Sequence, residues 1–156
     1  MRKVILALAI GAAVFGAVFI AVFILLPGRR ASQPAPAASK SSLTQRDAGE
    51  GAVEIEVTLV VPNSPDAAKY GAETQTVFLV SMNTHSVDLS GYDLTQISEL
   101  LAAGQRLAPI RWVSTSDDSH HRAGALLFPK VNQRVPLELR IKTIAGVAVR
   151  TFRWAP

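Results

Sequence analysis

Three histidines and one methionine are the residues of this chain whose types and spacing allow coordination chemistry. His85 follows Met82 in a polar segment, and His120 and His121 stand side by side in a second polar segment. Imidazole nitrogens suit copper and zinc, and a thioether sulfur adds a preference for Cu(I). The sequence therefore raises a copper or zinc site formed by His85, His120, His121 and Met82, and it indicates no other cofactor.

The motif itself has low specificity. The chain contains no cysteine, which excludes a blue-copper centre and every thiolate zinc site. Neighbouring side chains on an extended strand point in opposite directions, so only one of His120 and His121 joins a given site unless the loop bends. The alternative interpretation is that these histidines are polar loop residues, and the sequence leaves both readings open.

Hydrolytic chemistry has weaker support. Serine and aspartate accompany histidine in both segments, but a catalytic triad is defined by its geometry in space. The chain contains neither the G-x-S-x-G elbow nor the S-x-x-K motif, and Asp117 and Asp118 lack the spacing of a calcium-binding loop. We therefore predict that the chain is not an enzyme.

An apolar segment at residues 4–26 follows a three-residue tail at 1–3 and carries no charge. As a helix it spans about 34 Å, enough for a bilayer core of about 30 Å. A cleaved signal peptide is the competing interpretation, but its apolar region is usually shorter and lies next to its cleavage site. We predict an uncleaved transmembrane helix that contacts the lipid bilayer, with a preference for the N terminus inside.

The net charge of +4 is carried entirely by residues 1–50, because the cations and carboxylates of residues 51–156 balance. A nucleic-acid-binding domain needs its basic surface on the folded part, so no nucleic-acid partner is expected. Residues 27–50 are rich in Ala, Pro and Ser and show no apolar period, which predicts a flexible linker.

Apolar residues alternate with polar ones through much of residues 51–156, as expected for strands with one buried face. Residues 76–83 are apolar on both faces and predict a central strand, whereas 147–154 predicts an edge strand after the tight turn at Ala145 and Gly146. Leucine and isoleucine recur at helical spacing within 93–103, which predicts one helix capped by Asp93 or Ser90.

The predicted fold class is all-β: an immunoglobulin-like or related Greek-key β-sandwich of about seven strands with one inserted helix, preceded by a single transmembrane helix. A small open barrel is the alternative. The core candidates are the large aromatics of the strands, with the arginines of the last strand expected on its exposed face. These aromatics are Phe78, Trp112, Phe128, Phe152 and Trp154.

The whole layout is similar to that of periplasmic anchored β-domains, an architectural analogy that carries no function. We expect a single-pass cell-membrane protein whose bulk is extracytoplasmic, periplasmic or extracellular. Its expected role is that of an accessory, assembly or interaction module in a membrane or envelope complex. The alternative is a periplasmic copper or zinc binding and delivery protein that uses the histidine loops.

Overall fold

A computed structural model describes residues 42–48 and 50–156. The predicted transmembrane helix at 4–26 and most of the predicted linker lie outside these residues. None of the helices in the described part is long and apolar enough to cross a membrane.

Within the described residues the chain forms nine strands and two short α-helices, so it is mostly β. The strands are β1 Thr44–Ala48, β2 Val53–Val60, β3 Gln75–Thr84, β4 Ser98–Ala102, β5 Gln105–Leu107, β6 Arg111–Asp117, β7 His121–Pro129, β8 Leu137–Ile144 and β9 Val147–Trp154. The helices are α1 Pro65–Tyr70 and α2 Leu94–Ile97, and a 3₁₀ turn occupies Glu50–Ala52.

The strands form two antiparallel sheets. One sheet has five strands in the order β1-β2-β3-β7-β6, and the other has four in the order β5-β4-β8-β9. The predicted positions of β3 and β9 are confirmed, since β3 is central in its sheet and β9 is at an edge. The turn between β8 and β9 also lies at Ala145 and Gly146, where the sequence predicts it.

The main core lies between the two sheets. In β2 the apolar residues are fully or nearly fully buried while Glu54, Glu56 and Thr58 face outward, because alternate residues of a strand point to opposite faces. Phe78 packs edge-on against Phe128 and at a tilt against Trp154. Four of the five predicted core aromatics are buried; the fifth, Trp112, is half-buried and packs against the margin of the core.

A second, smaller core covers part of the outer face of the five-stranded sheet. The helix α1 lays Ala67 and Tyr70 over Val77 and Leu127, which shields that end of the sheet from solvent. The signals for a helix were Pro65 at its first position and Gly71, whose left-handed φ of 71° ends it.

The prediction of one helix within 93–103 is wrong in its length, because the observed helix is much shorter. Asp93 does cap a helix, since its Oδ1 accepts a hydrogen bond of 2.9 Å from Thr95 N, but the helix ends at Ile97. Residues 98–102 continue as β4, pairing with both β5 and β8. Leu100 and Ala102 are buried in the sandwich core by this pairing, so tertiary burial overrides the local helical spacing.

The linker prediction also needs correction at its end. β1 falls within residues 27–50, where it pairs antiparallel with β2 over five residue positions. Thr44 and Arg46 bond to side chains of β2, which adds cross-strand contacts to the backbone ladder. The folded domain therefore begins before residue 51.

Candidate functional site

The two histidine segments meet at one end of the five-stranded sheet. Thr84 N, at the end of β3, donates a 3.1 Å hydrogen bond to the carbonyl of His120. Asn83 lies opposite His121 in the register of β3 and β7, and its Oδ1 is 3.0 Å from His121 Nδ1. His85 and His121 line one surface depression together with Glu54.

Two of the four predicted ligands do not share this depression. Met82 faces the sandwich core and is fully buried, because it lies two residues from Val80 and on the same face of β3. His120 is exposed in the turn before β7 and does not line the depression. No group of three or more histidine, aspartate or glutamate side chains within residues 42–48 and 50–156 is arranged to hold a metal ion.

The aspartates around these histidines stabilise the turns. Asp118 accepts a 2.8 Å hydrogen bond from His120 N, and this bond is the main cause that lowers the pKa of Asp118. Asp88 accepts bonds from the hydroxyl and the backbone N–H of Ser90, and the hydroxyl bond is the larger cause of its lowered pKa. Both carboxylates therefore serve local backbone geometry.

The outer face of the four-stranded sheet carries a ladder of opposite charges. Glu99 on β4 accepts a 2.7 Å bond from Lys142 Nζ on β8, and Arg106 Nη1 lies 3.3 Å from the same carboxylate. The hydrogen bond from Lys142 is the main cause that holds the pKa of Glu99 below its usual value. Arg140 approaches its other oxygen at 3.6 Å, so three cations surround one nearly buried carboxylate.

Glu138 forms the second centre of this ladder. Its Oε1 accepts a 2.6 Å bond from Arg140, and its Oε2 accepts a 2.8 Å bond from Nε of Arg153 on β9. The pKa of Glu138 is lowered, first by the bond from Arg153 and then by that from Arg140. Together the two carboxylates and four cations leave two positive charges unbalanced on this face.

A groove of about 480 Å³ lies at one end of this charged face. Its position follows from the register, since Leu101 pairs with Arg106 on one side and with Glu138 on the other, and Glu138 pairs with Arg153. The groove is lined mainly by apolar residues at the ends of β4, β8 and β9. The lining residues are Leu101, Ala102, Ala103, Gly104, Pro136, Leu137, Glu138, Arg140, Arg153, Trp154 and Ala155. We call this the arginine groove.

The cations at the margins of this face are much more exposed than its carboxylates. The side chains of Arg106 and Arg153 are 65% and 70% exposed, whereas those of Glu99 and Glu138 are 9% and 21% exposed. A ligand therefore meets guanidinium groups at the surface, with the carboxylates covered beneath them. Exposed guanidinium groups of this kind can donate charge-assisted hydrogen bonds to carboxylates and phosphates.

The outward-facing residues that β8 and β9 contribute to this charged face could be predicted from the sequence. The alternation of β8 and β9 places Glu138, Arg140 and Arg153 on outward faces. The sequence did not reveal that β4 lies between β5 and β8, because residues 98–102 were predicted to belong to a helix. The expected exposure of both arginines on the last strand is confirmed for Arg153 and wrong for Arg150, which shares the inward face of Phe152 and is 2% exposed.

No family model matches this chain, and a search of curated proteins and of solved structures finds no match either.

Proposed function

We propose that the chain is a membrane-anchored extracytoplasmic β-domain that acts as an accessory or assembly module of a membrane or envelope complex. The predicted apolar helix at 4–26 supplies the anchor, and the following linker gives the domain reach over the membrane surface. We assign the domain to the Greek-key sandwiches, since the connections from β3 to β4 and from β7 to β8 cross between the sheets.

One observation carries this proposal: the exposed arginines beside the apolar floor of the arginine groove. Arginine is enriched among the residues that dominate protein–protein binding energy, especially beside apolar surface that becomes dry on binding. Arg153 donates to Glu138 through Nε, and its side chain stays 70% exposed. The groove thus has the composition of a partner-binding surface.

The assembly proposal is tested on the full chain extracted gently from its native membranes. We expect it to sediment in an assembly larger than one chain in a detergent micelle. Arg153→Glu is expected to shift it toward the single chain, while Arg111→Glu is the matched control, since Arg111 is also an exposed arginine but lies on β6 of the other sheet. Sedimentation of the wild type as a single chain would contradict the proposal.

The extracytoplasmic location is tested with a single cysteine, because the chain contains none. Gly91 is exposed, and a Cβ at this position meets nothing within 4 Å, so Gly91→Cys adds one accessible thiol to the domain. A membrane-impermeant maleimide added to intact cells should label this variant. Labelling that requires lysis of the cells would place the domain on the cytoplasmic side.

A copper or zinc delivery protein is the second candidate. The observation that favours it is that His85 and His121 line one depression with Glu54. The candidate ligands are then the two imidazoles of His85 and His121, because Met82 is inside the core and His120 does not line the depression.

A further inference from the structure

We propose that the arginine groove binds an extended acidic segment of a partner protein, in which one apolar side chain stands between two carboxylates. This inference rests on the proposed function and specifies the chemistry of the partner. It is carried by the net positive charge of the outer face of the four-stranded sheet, by the apolar residues of the groove, and by the separation of Arg153, which lines the groove, from Arg106, which lies beside it.

Arg106 and Arg153 carry N–H groups beyond those that bond to Glu99 and Glu138. A guanidinium carries five N–H groups. Arg106 uses Nη1 for Glu99, and Arg153 uses Nε for Glu138. Both side chains are about two-thirds exposed, so an incoming carboxylate can reach their guanidinium groups. The covered carboxylates of Glu99 and Glu138 orient these arginines and offer an incoming anion little exposed negative charge.

The separation of the arginines sets the spacing of the acidic residues. Arg106, Leu101, Glu138 and Arg153 form one row across the strands β5, β4, β8 and β9. Three strand spacings of about 4.8 Å place the outer two residues roughly 14 Å apart. An extended peptide covers about 14 Å in four residues, so carboxylates at positions i and i+4 reach both arginines.

The apolar residues of the groove determine which side chain of the peptide is favoured between its two carboxylates. Position i+2 of such a peptide points to the same side as i and i+4, so it lies between Leu101 and Glu138, the two inner residues of the row, and contacts Leu101. Leu101 is half-buried and Pro136 is exposed, and both line the groove. An aliphatic side chain at i+2 removes this apolar surface from water.

The shape favours a protein segment over a bilayer. Proteins that bind a bilayer surface present apolar side chains that project into it. In the described residues the exposed large apolar side chains are those of Leu43, Ile110 and Val149, and none of these lines the groove. The apolar surface of the groove adjoins the row at Leu101, between Arg106 and Arg153, and a depression of this kind suits a side chain that projects from a partner.

The test uses the full chain in neutral detergent and fluorescein-labelled peptides. The probe has the core Glu-Ser-Leu-Ser-Glu, and binding is measured by fluorescence anisotropy at low salt. The comparison peptides replace both glutamates by glutamine, replace leucine by serine, or shorten the spacing to Glu-Leu-Glu. We expect the probe to bind at least about tenfold more tightly than each of these, a difference that salt reduces.

Protein variants locate the binding. Arg106→Gln and Arg153→Gln should each weaken binding of the probe by about tenfold, whereas the matched control Arg111→Gln should leave it unchanged. Absence of binding up to about 1 mM, or equal binding of the glutamine peptide, would overturn the proposal. The proposal would also be overturned if vesicles of anionic lipid displaced the probe by binding to the same two arginines.

The two proposals fail in different ways. If the full chain sediments in a large assembly but binds none of the acidic peptides, only the proposal of an acidic ligand for the arginine groove is refuted. A chain that binds the probe through Arg106 and Arg153 but leaves native membranes as a single chain refutes the accessory role alone.

Discussion

Arg150 on β9 forms an ion pair with Asp47 on β1, with 2.5 Å between Nη1 and Oδ2. The two residues are 103 positions apart in the sequence and belong to different sheets. The Arg150 side chain is 1% exposed, and its Nη1 also donates to the carbonyl of Val53 at 3.3 Å. Further along β9, Trp154 Nε1 donates to the carbonyl of Leu43, so β9 is bonded both to the first strand and to the residue that precedes it.

Asp47→Asn should destabilise the domain by about 3 kcal/mol, because it removes the negative charge that pairs with the buried guanidinium of Arg150. Glu56→Gln is the matched control, since Glu56 pairs with Arg46 at the same 2.5 Å but both side chains are substantially exposed. Exposed pairs contribute about 0–1 kcal/mol. Urea unfolding followed by tryptophan fluorescence measures both values; equal losses would show that the burial of Arg150 does not matter.

Gly124→Ala should destabilise the domain by about 2–3 kcal/mol, since a Cβ on β7 would lie 2.4 Å from Val113 O and 2.6 Å from Trp112 Cζ2. The neighbouring strand and the indole ring leave no space there. Gly91→Ala is the control, because its Cβ would meet nothing within 4 Å. Thermal unfolding of both variants tests this expectation, and a stable Gly124→Ala would mean that β6 and β7 separate easily.

Glu99 should make stability depend on pH in the acid range. Its folded pKa lies below the ordinary 4.5, so the carboxylate stabilises the native state fully above that value. This contribution is lost as the pH falls through the folded pKa and the proton neutralises the partner of Lys142, Arg106 and Arg140.

Glu99→Gln should therefore lower the free energy of unfolding at neutral pH by about 1–3 kcal/mol. The difference from wild type should shrink as the pH falls below the ordinary pKa of a glutamate, and urea titrations at several pH values measure it. Glu73→Gln, at an exposed position, should change the neutral value by less than about 0.5 kcal/mol. A constant difference at every pH would assign the effect of Glu99→Gln to packing.

Metal titration separates the two functional candidates. We expect copper and zinc to dialyse away from the full chain, because His121 Nδ1 is engaged by Asn83 and the depression offers few further ligands. His85→Ala should leave sedimentation and peptide binding unchanged. Stoichiometric metal that is lost in both His85→Ala and His121→Ala, but kept in His120→Ala, would promote the delivery function instead.

The strands that alternate cleanly could be located from the sequence. Val53, Ile55 and Val57 alternate with glutamate and threonine, and the pleat of a strand makes a period of two visible without tertiary information. Tight turns such as Ala145–Gly146 follow from local backbone preference, since Gly146 takes a φ of 79°. These signals depend on residues close together in the sequence, and they established the mostly β character of the chain.

Only the tertiary structure decided which strands lie side by side. Residues 98–102 become β4 because pairing with β8 buries Leu100, although their spacing suits a helix. The same pairing brings Leu101 beside Glu138, and it assembles the row that ends at Arg106 and Arg153. Such contacts join residues tens of positions apart, and their free energy comes from shared burial and charge that no local pattern encodes.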